Sequence, residues 1–297
     1  MKVMITGAKG QLGCDLAKLL VQTDEVFVYD KQQLNVTDAE QTMAVISNVK
    51  PDTIIHCAAY TLVDKAESDP MTAFAINAVG TRNVAVAAAQ CNAKLVYISS
   101  DYVFSGNKRS SYSEFDEPAP INVYGNSKLH GEQFVRMVHN KFFIVRTSWL
   151  YSRGSNNFVG KILSAVQSGK PLRVIDDEVG SPTFTEDLAA FITSLIRTNR
   201  YGIYHASNMG CCSRYAFAQE ILALCGCGDV GMQPISGAEF VTAAKRPIYS
   251  VLDHQMIRLN GFPEMPEWKH ALARCLRGKE IVEEGNDPCV LLEREEA

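Results

Sequence analysis

The sequence has 297 residues, of which 46% are apolar and 21% charged, the composition of a globular chain long enough for one large or two coupled domains. Its net charge of -4 argues against non-specific nucleic-acid binding, and no apolar run approaches the ~20 residues of a membrane span. Met1–Ile5 runs directly into a predicted strand without a signal-peptide pattern, so we expect a cytoplasmic protein with no nucleic-acid or membrane partner.

Short β-branched or apolar runs alternate with segments of helical periodicity in the first half of the chain. The predicted strands are Val3–Thr6, Glu25–Tyr29, Thr53–His56, Leu95–Ser99 and Phe143–Thr147. The predicted helices are Leu12–Gln22, Ala39–Asn48, Met71–Cys91 and Tyr124–Asn140. Strands that are apolar on both faces and alternate with helices predict an α/β fold with a doubly wound parallel sheet, the Rossmann arrangement that binds dinucleotides.

After Trp149 the pattern is less regular, and glycine, proline and serine are more frequent. Predicted helices and strands in this half are Asn156–Gly169, Leu172–Ile175, Pro182–Arg197, Gly202–His205 and Arg214–Cys225. We therefore predict a dinucleotide-binding domain over 1–148, to which parts of about 172–205 return. A smaller, discontinuous substrate-binding lobe follows over about 149–277, with a poorly ordered or loosely docked tail over 278–297.

Three glycines, Gly7, Gly10 and Gly13, stand three residues apart behind the first predicted strand. A pyrophosphate binds where a helix begins, because the unpaired N–H groups and the helix dipole favour an anion. Gly7 suits the tight turn, Gly10 lets the backbone approach the phosphates, and Gly13 lets the helix pack close to the sheet. The spacing at this strand–helix turn predicts a cofactor site.

Asp30 and Lys31, at the end of the second predicted strand, leave the choice between NADH and NADPH open. An acid here would accept a hydrogen bond from the adenosine ribose 2′-OH and favour NAD, whereas Lys31 would tolerate a 2′-phosphate. A solvated loop pair is an equally good interpretation. The nine cysteines show no paired C-x-x-C spacing and no nearby histidine pattern, so we expect reduced thiols and no metal site.

Tyr124 and Lys128 lie four residues apart on one predicted helix, and therefore on one face of it. A neighbouring ammonium stabilises a phenolate, so we expect Lys128 to pull the tyrosine pKa down from ~10. A Y-x-x-x-K pair alone is common on helix surfaces. Here, however, the fourth predicted strand ends in the polar cluster Ser99, Ser100, Asp101 and Tyr102, where a doubly wound sheet binds ligands. Together these residues predict a catalytic site.

Two more side chains are candidate substrate contacts. Trp149 follows a predicted strand end and would either stack on a sugar or pack in the core. Arg246 stands in a polar loop and would bind a diphosphate in bidentate fashion or form a salt bridge.

The motifs G-x-x-G-x-x-G, Ser-Asp-Tyr-Val-Phe and Y-x-x-x-K, in this order, resemble those of the extended short-chain dehydrogenase/reductase superfamily. The sequence is more closely similar to the dTDP-4-dehydrorhamnose reductase family, through segments such as TGAKGQLG, ISSDYVFSG, YGNSKLHGE and KRPIYSVLD that run from residue 1 to about 276. The resemblance implies an NADPH- or NADH-dependent oxidoreductase that reduces the C4 ketone of dTDP-4-dehydro-L-rhamnose to dTDP-L-rhamnose, a precursor of cell-surface polysaccharide. It also implies a nucleotide-sugar substrate. We expect a monomer or homodimer.

Carried over by position, the resemblance implies a catalytic triad of Ser100, Tyr124 and Lys128, with serine where the family often has threonine. The implied cofactor contacts, besides the triad's Tyr124 and Lys128, are Gly10, Gln11, Leu12, Asn35, Val36, Ala58, Ala59, Tyr60 and Ile98. The implied sugar contacts are Asp101 and Trp149. Ser100 and Tyr102, which neighbour Asp101, and the separately proposed Arg246 complete the predicted substrate contacts. Asn35 stands in LNVTD where family members often read LDITD. Some members hold magnesium through glutamates that have no mapped counterpart here.

Two alternatives stay open. A sugar-nucleotide dehydratase or epimerase is the nearer one, but a dehydratase needs a further acid/base pair, and Asp101 is followed by Tyr102 instead of glutamate. The other is a non-catalytic, cofactor-binding regulatory subunit similar to that of methionine adenosyltransferase, which an intact Ser100, Tyr124 and Lys128 disfavours.

Overall fold

The structure is a computed structural model that describes residues 1–154, 157–169, 171–228 and 230–277. Its first half holds strands β1 to β5, which are Lys2–Thr6, Glu25–Tyr29, Thr53–His56, Lys94–Ser100 and Phe142–Thr147. Helices α1 to α6 are Gln11–Leu20, Ala39–Val49, Val63–Ser68, Pro70–Phe74, Thr81–Gln90 and Val123–Val138. A π-helical turn, Ala75–Gly80, joins α4 to α5, and a 3-10 turn, Asp101–Val103, follows β4.

The second half holds strands β6 to β12, which are Leu150–Tyr151, Leu172–Ile175, Val179–Gly180, Thr183–Phe184, Gly202–His205, Cys212–Ser213 and Met232–Ile235. Helices α7 to α11 are Phe158–Gln167, Thr185–Ile196, Arg214–Leu224, Gln255–Leu259 and Trp268–Arg277. The predicted tail over 278–297 lies outside the described residues. Within the described ranges, no helix has the length and apolar character needed to cross a membrane.

The central sheet has six parallel strands in the order β10-β5-β4-β3-β1-β2. Successive side chains of a strand point to opposite faces, so each face buries its own apolar row. One face packs Val3, Ile5 and Val96 against α1 and α8, while the other packs Met4 and Tyr97 against α2, α5 and α6. This sheet, covered by helices on both faces, confirms the predicted α/β doubly wound fold.

A separate apolar cluster lies between α7, α9 and α11, with Phe217 and Trp268 at its centre. Its other buried members include Tyr151, Val159, Phe184, Ala218, Ile221, Ala271, Leu272 and Cys275. Short two-stranded ladders, β11-β8, β12-β7 and β6-β9, connect these helices to the end of the main sheet. This part of the chain therefore forms its own core beyond the carboxyl ends of the strands.

Two helix predictions were wrong in their bounds for local reasons. The single helix predicted over Met71–Cys91 is interrupted, because the chain widens into the π turn where the Asn77 carbonyl accepts hydrogen bonds from Thr81 Oγ1 (2.7 Å) and the Tyr97 hydroxyl (3.3 Å). The helix predicted from Pro182 begins instead at Thr185, because residues 183 and 184 pair with β6. Asn156, the predicted start of another helix, lies outside the described residues.

A buried ion pair fixes α6 to the sheet. Arg146 of β5 donates to Glu132 of α6 through Nε (2.9 Å) and Nη2 (2.7 Å), and both side chains are 2% exposed. Ser99 Oγ donates to the same carboxylate at 2.5 Å. His205 of β10 accepts from Arg146 Nη1 at 3.4 Å, while its Nδ1 faces the carbonyl of Tyr112 at 3.0 Å. Burial holds the pKa of His205 well below its ordinary value, so the ring is neutral and accepts at Nε2.

We expect Arg146→Met to lower the free energy of unfolding by about 3–5 kcal/mol, because Glu132 would remain buried without its cation. The double variant Glu132→Gln/Arg146→Met removes both charges of the pair and should recover part of this loss. Urea denaturation of both variants tests the expectation. A single variant within about 1 kcal/mol of wild type would show that the pair contributes little.

Candidate active site

In the glycine-rich turn after β1, backbone segments lie very close to one another. Gly7 has φ of +69°, and a Cβ there would lie 2.6 Å from the Ala58 nitrogen. A Cβ on Gly13 would lie 2.5 Å from the Gly7 carbonyl oxygen, so both positions need glycine for packing within the chain itself. Gly10, the N-cap of α1, has ordinary extended geometry and meets only the Gly7 oxygen at 3.2 Å. Of these three glycines, therefore, only Gly10 has space beside it that the described residues do not fill.

The N-terminus of α1 carries no compensating negative group. Gly10 supplies no side-chain cap, and the first turn contains no acidic residue. The Gln11 side chain points to the second half of the chain, where its Oε1 accepts hydrogen bonds from Ser152 Oγ (2.9 Å) and Asn157 Nδ2 (3.1 Å). Leu12 is buried in the core, so only its backbone faces the turn. These features leave a helix N-terminus that favours an anion.

Asp30, at the end of β2, is already partnered. Its Oδ1 accepts from the backbone N–H groups of Gln32 (2.7 Å) and Gln33 (3.0 Å), and its Oδ2 lies 2.9 Å from Lys9 Nζ. The hydrogen bond from Lys9 lowers the pKa of Asp30. Lys31, the cation considered from the sequence, is exposed. The structure thus brings Lys9 to this carboxylate, a pairing that the sequence analysis missed.

The segment after β2 is held by internal contacts. Asn35 Oδ1 accepts from the Thr37 hydroxyl at 2.8 Å, closing a local turn. Val36 is buried, and its carbonyl accepts from Asn83 Nδ2 at 3.0 Å. A Cβ on Gly80 would lie 2.7 Å from the Val36 side chain, which sets the distance between this segment and the π turn.

Asn77, in the π turn, joins two parts of the site. It accepts from the Tyr60 N–H (2.8 Å) and donates to the Tyr60 carbonyl (3.0 Å), which fixes the chain that continues β3 through Ala58 and Ala59. It also donates to Ser127 Oγ at 2.9 Å, and Ser127 in turn donates to the Tyr124 carbonyl at 2.7 Å. Asn77 was not singled out from the sequence, because its role depends on contacts across 17 and 50 positions.

Ser100 and Tyr124 meet because α6 lies directly on the turn after β4. A Cβ on Gly125 would lie 2.0 Å from the Tyr102 carbonyl oxygen, so only glycine permits this approach. The Tyr102 ring packs edge-on against the Tyr124 ring, with centroids 5.8 Å apart. Ser100 Oγ accepts from the Tyr102 N–H (3.1 Å) and donates to Asp101 Oδ1 (3.0 Å). The structure therefore brings together the serine and tyrosine that the sequence predicted as partners.

Lys128 lies one turn further along α6, is 2% exposed, and has its Nζ 4.2 Å from the Tyr97 ring centroid. Burial lowers its pKa to about 7, against the opposing effect of the Glu132 carboxylate. Burial also raises the pKa of Tyr124, although the Ser100 side chain opposes this rise. The predicted lowering of the tyrosine pKa was therefore wrong for this state of the protein, because burial is the largest effect on the Tyr124 hydroxyl and it raises the pKa.

Asp101 and Tyr102 face the same cluster. Burial raises the pKa of Asp101 to about 6, with Ser250, Ser100 and Arg214 acting in the opposite direction. Burial likewise raises the pKa of Tyr102 to about 12. Ile98, two residues before Ser100 in β4, packs in the core on the α1 side of the sheet.

Trp149 and Arg246, the two predicted substrate contacts of the second half, already have partners. Trp149 has φ of +47°, and a Cβ on Gly180 would lie 2.6 Å from its ring. The Arg214 guanidinium stacks on the Trp149 ring, 3.5 Å from its centroid. Arg246 donates to Asp64 through Nη1 (3.1 Å) and Nη2 (2.6 Å). Arg214 was missed from the sequence, where nothing connects it to Trp149.

The doubly wound sheet, the glycine-rich β1–α1 turn and the Tyr-x-x-x-Lys helix beside a strand-end serine define a nucleotide-binding protein of the extended short-chain dehydrogenase/reductase type. More narrowly, the family described as "RmlD substrate binding domain" matches residues 1–280, and the chain belongs to this family.

Individual relatives agree in length and fold. The chain is 37% identical to the spore coat polysaccharide biosynthesis protein SpsK of Bacillus subtilis, over 93% of this chain and 97% of that one. It is also 37% identical to a dTDP-4-dehydrorhamnose reductase of Aggregatibacter actinomycetemcomitans, over 91% of this chain and 97% of that one. A crystal structure of the Bacillus anthracis dTDP-4-dehydrorhamnose reductase in complex with NADP superposes with a TM-score of 0.91 at 48% identity, covering 93% and 99% of the two chains.

We expect Asp101→Asn to stabilise the protein at neutral pH. A folded-state pKa of about 6, against an ordinary 3.8, means that the unfolded chain loses its proton first, so wild-type stability falls as the pH rises through this interval. At 1.36 kcal/mol per unit the cost is about 3 kcal/mol at most. The advantage of the variant should grow by about 1–3 kcal/mol between pH 4 and 7.5 in urea denaturation. An advantage that does not change with pH would contradict the raised pKa.

Proposed function

We propose that this protein is an NAD(P)H-dependent reductase of the C4 ketone of a nucleotide-linked deoxysugar, converting dTDP-4-dehydro-L-rhamnose to dTDP-L-rhamnose. The observation that carries the proposal is the meeting of Ser100 and Tyr124 at the carboxyl edge of the sheet, with Lys128 one turn away. The names of the relatives support the same reaction. We place it in the cytoplasm, acting as a monomer or homodimer, with the part built around α7, α9 and α11 as its substrate-binding lobe.

The β1–α1 turn fits a dinucleotide. The uncompensated helix N-terminus favours the pyrophosphate, and Gly10 leaves the space that it needs. Asp30 and Lys9 lie at the ribose end, while the backbone of Ala58, Ala59 and Tyr60 borders the path to the reactive ring. The hydroxyl of Tyr60 is buried without a hydrogen-bond partner among the described residues. When bound, the reduced nicotinamide supplies the hydride that reaches the sugar C4.

Ser100 and Tyr124 act on the carbonyl oxygen. In this proposal the oxygen lies between the two hydroxyl groups, and Ser100 orients it by hydrogen bonding. As negative charge develops on the oxygen, the Tyr124 O–H bond breaks and its proton completes the product hydroxyl. The raised pKa of Tyr124 keeps the hydroxyl protonated at neutral pH, so the acid is present in the form that donates.

Lys128 prepares the return of the proton. Its pKa of about 7 allows both the amine and the ammonium form at neutral pH. Once Tyr124 has lost its proton, the tyrosinate favours the ammonium form, which stabilises the negative charge until the phenol is protonated again. Lys128 also reaches the ribose hydroxyls of the bound cofactor in this arrangement. Asp101 and Tyr102 lie beside the sugar.

We expect Tyr124→Phe to lower kcat about 10²–10⁴-fold, because it removes the proton donor and keeps the ring packed against Tyr102. Cofactor affinity should be unchanged. Lys128→Met should lower kcat and also weaken cofactor binding. Turnover of dTDP-4-dehydro-L-rhamnose, followed through the loss of reduced-nicotinamide absorbance, measures both effects.

Tyr201→Phe is the matched control, since the Tyr201 hydroxyl bonds only to the neighbouring Asn199 among the described residues. A Tyr124→Phe variant that retained more than about a tenth of the wild-type kcat, with hydride transfer limiting the rate, would exclude Tyr124 as the acid. Wild-type protein that binds cofactor but reduces no nucleotide ketosugar would overturn the proposed reaction.

We expect Gly10→Val to weaken NADPH and NADH binding more than about tenfold, because its side chain would occupy the space for the pyrophosphate; the tenfold threshold corresponds to ~1.4 kcal/mol. The fold should persist, since φ at Gly10 is -77° and only the Gly7 oxygen is near. Gly228→Val is the control, as a Cβ there meets nothing within 4 Å. Calorimetric titration compares the variants. Unchanged affinity for Gly10→Val would show that the phosphates lie elsewhere.

A further inference from the structure

Arg214, the first residue of α9, is a cation placed in the site without a tight partner. Its guanidinium stacks 3.5 Å from the centroid of Trp149, and its side chain is only 21% exposed. Its guanidinium donates no hydrogen bond to any residue in the described ranges. The nearest carboxylate is Glu178, whose Oε2 lies 3.9 Å from Nε, too far for a hydrogen bond.

Arg246 provides a contrast at the same site. It donates two hydrogen bonds to Asp64 and a third to the Ala244 carbonyl at 3.1 Å. A guanidinium has five N–H donors, and leaving them unpaired in a largely dry position costs free energy. Because Arg246 is satisfied by the chain itself and Arg214 is not, Arg214 is the arginine that a ligand would complete.

The charged groups around Arg214 indicate whether that ligand is an anion or a cation. Tyr102 and Asp101 face it from the turn after β4, Glu178 from the segment before β8, and Arg246 from the loop after β12. Burial raises the pKa of both Asp101 and Glu178, and the charge of Arg214 acts in the opposite direction on each. Burial lowers the pKa of Arg214, and the nearby Arg246 acts in the same direction, as expected for two cations in proximity. With Arg246 already paired to Asp64, the unpaired N–H donors of Arg214 favour an anion with several oxygens, such as a phosphate group.

We propose that Arg214, stacked on Trp149, binds the diphosphate of the nucleotide-sugar substrate. The stacking orients the plane of the guanidinium, so its outer N–H groups form a fork that matches two phosphate oxygens. The role of Trp149 then changes from sugar stacking to positioning of Arg214, because the guanidinium covers the ring. This inference rests on the proposed function, since that function supplies the diphosphate.

The experiment titrates the full-length protein with dTDP, with thymidine and with NADPH in a calorimeter. We expect Arg214→Gln to raise the dTDP Kd about 10- to 100-fold, the effect of losing charge-assisted hydrogen bonds. Arg214→Lys keeps the charge without the fork and should show an intermediate increase. The NADPH Kd should stay within about threefold, which separates the substrate diphosphate from the cofactor pyrophosphate and shows that the variants are folded. Arg173→Gln, at an exposed surface pair with Glu239, is the matched control.

Three outcomes would overturn the inference: a dTDP Kd for Arg214→Gln within about threefold of wild type, an equal loss for dTDP and thymidine, or wild-type protein that does not bind dTDP. A protein that binds dTDP through Arg214 and yet reduces no ketosugar would retain this inference and contradict the proposed reaction. If Arg214→Gln fails to fold, Arg214→Lys decides alone. Unchanged dTDP affinity in that variant would exclude the bidentate fork.

Discussion

The ion pair between Glu132 and Arg146 is the interaction on which the site depends. It connects α6 to two neighbouring strands at once, because Ser99 of β4 donates to the same carboxylate that Arg146 of β5 binds. Since Tyr124 and Lys128 lie on α6, their positions over the end of β4 follow from this connection. Glu132 also raises the pKa of Lys128, so one carboxylate both holds the helix and moderates the desolvation of the amine.

Close approach between backbone segments is the second constraint, and it explains why some positions accept only glycine. Gly125 lets α6 touch the turn after β4, and Gly13 lets α1 touch the turn after β1. Both contacts are made by the chain with itself, so these two glycines are needed to bring the two pairs of elements together. Gly10 is different, because a Cβ there would meet only the Gly7 carbonyl oxygen, at 3.2 Å. Gly7, Gly13 and Gly125 therefore serve packing within the chain, whereas the proposed pyrophosphate site accounts for Gly10.

The sequence predicted the regular parts well, and failed where distant residues decide. The bounds of β2, β3, β7 and β10 were predicted correctly, because short β-branched runs bounded by polar residues leave little freedom. The interruption before α5 was not predictable, since it depends on Tyr97 reaching the Asn77 carbonyl. Motif spacing correctly brought Ser100 and Tyr124 together. Motif spacing could not indicate Arg214, because its position in the site depends on the contact with Trp149. It also could not give the direction of the Tyr124 pKa shift, which depends on burial.

One edge of the central sheet is formed by β10, the last strand of that sheet to be synthesised. Strand β10 pairs with β5 in parallel, with Gly202 opposite Phe143. The ribosome therefore synthesises β5 long before its edge partner, β10. During synthesis, β5 would present an unpaired hydrogen-bonding edge until the chain beyond residue 205 emerged, and Arg146 would lack the imidazole that β10 delivers. Closing so long a loop has an entropic cost that slows this last pairing. Because β10 is synthesised late, the edge of β5 is open to association with other chains until β10 pairs with it.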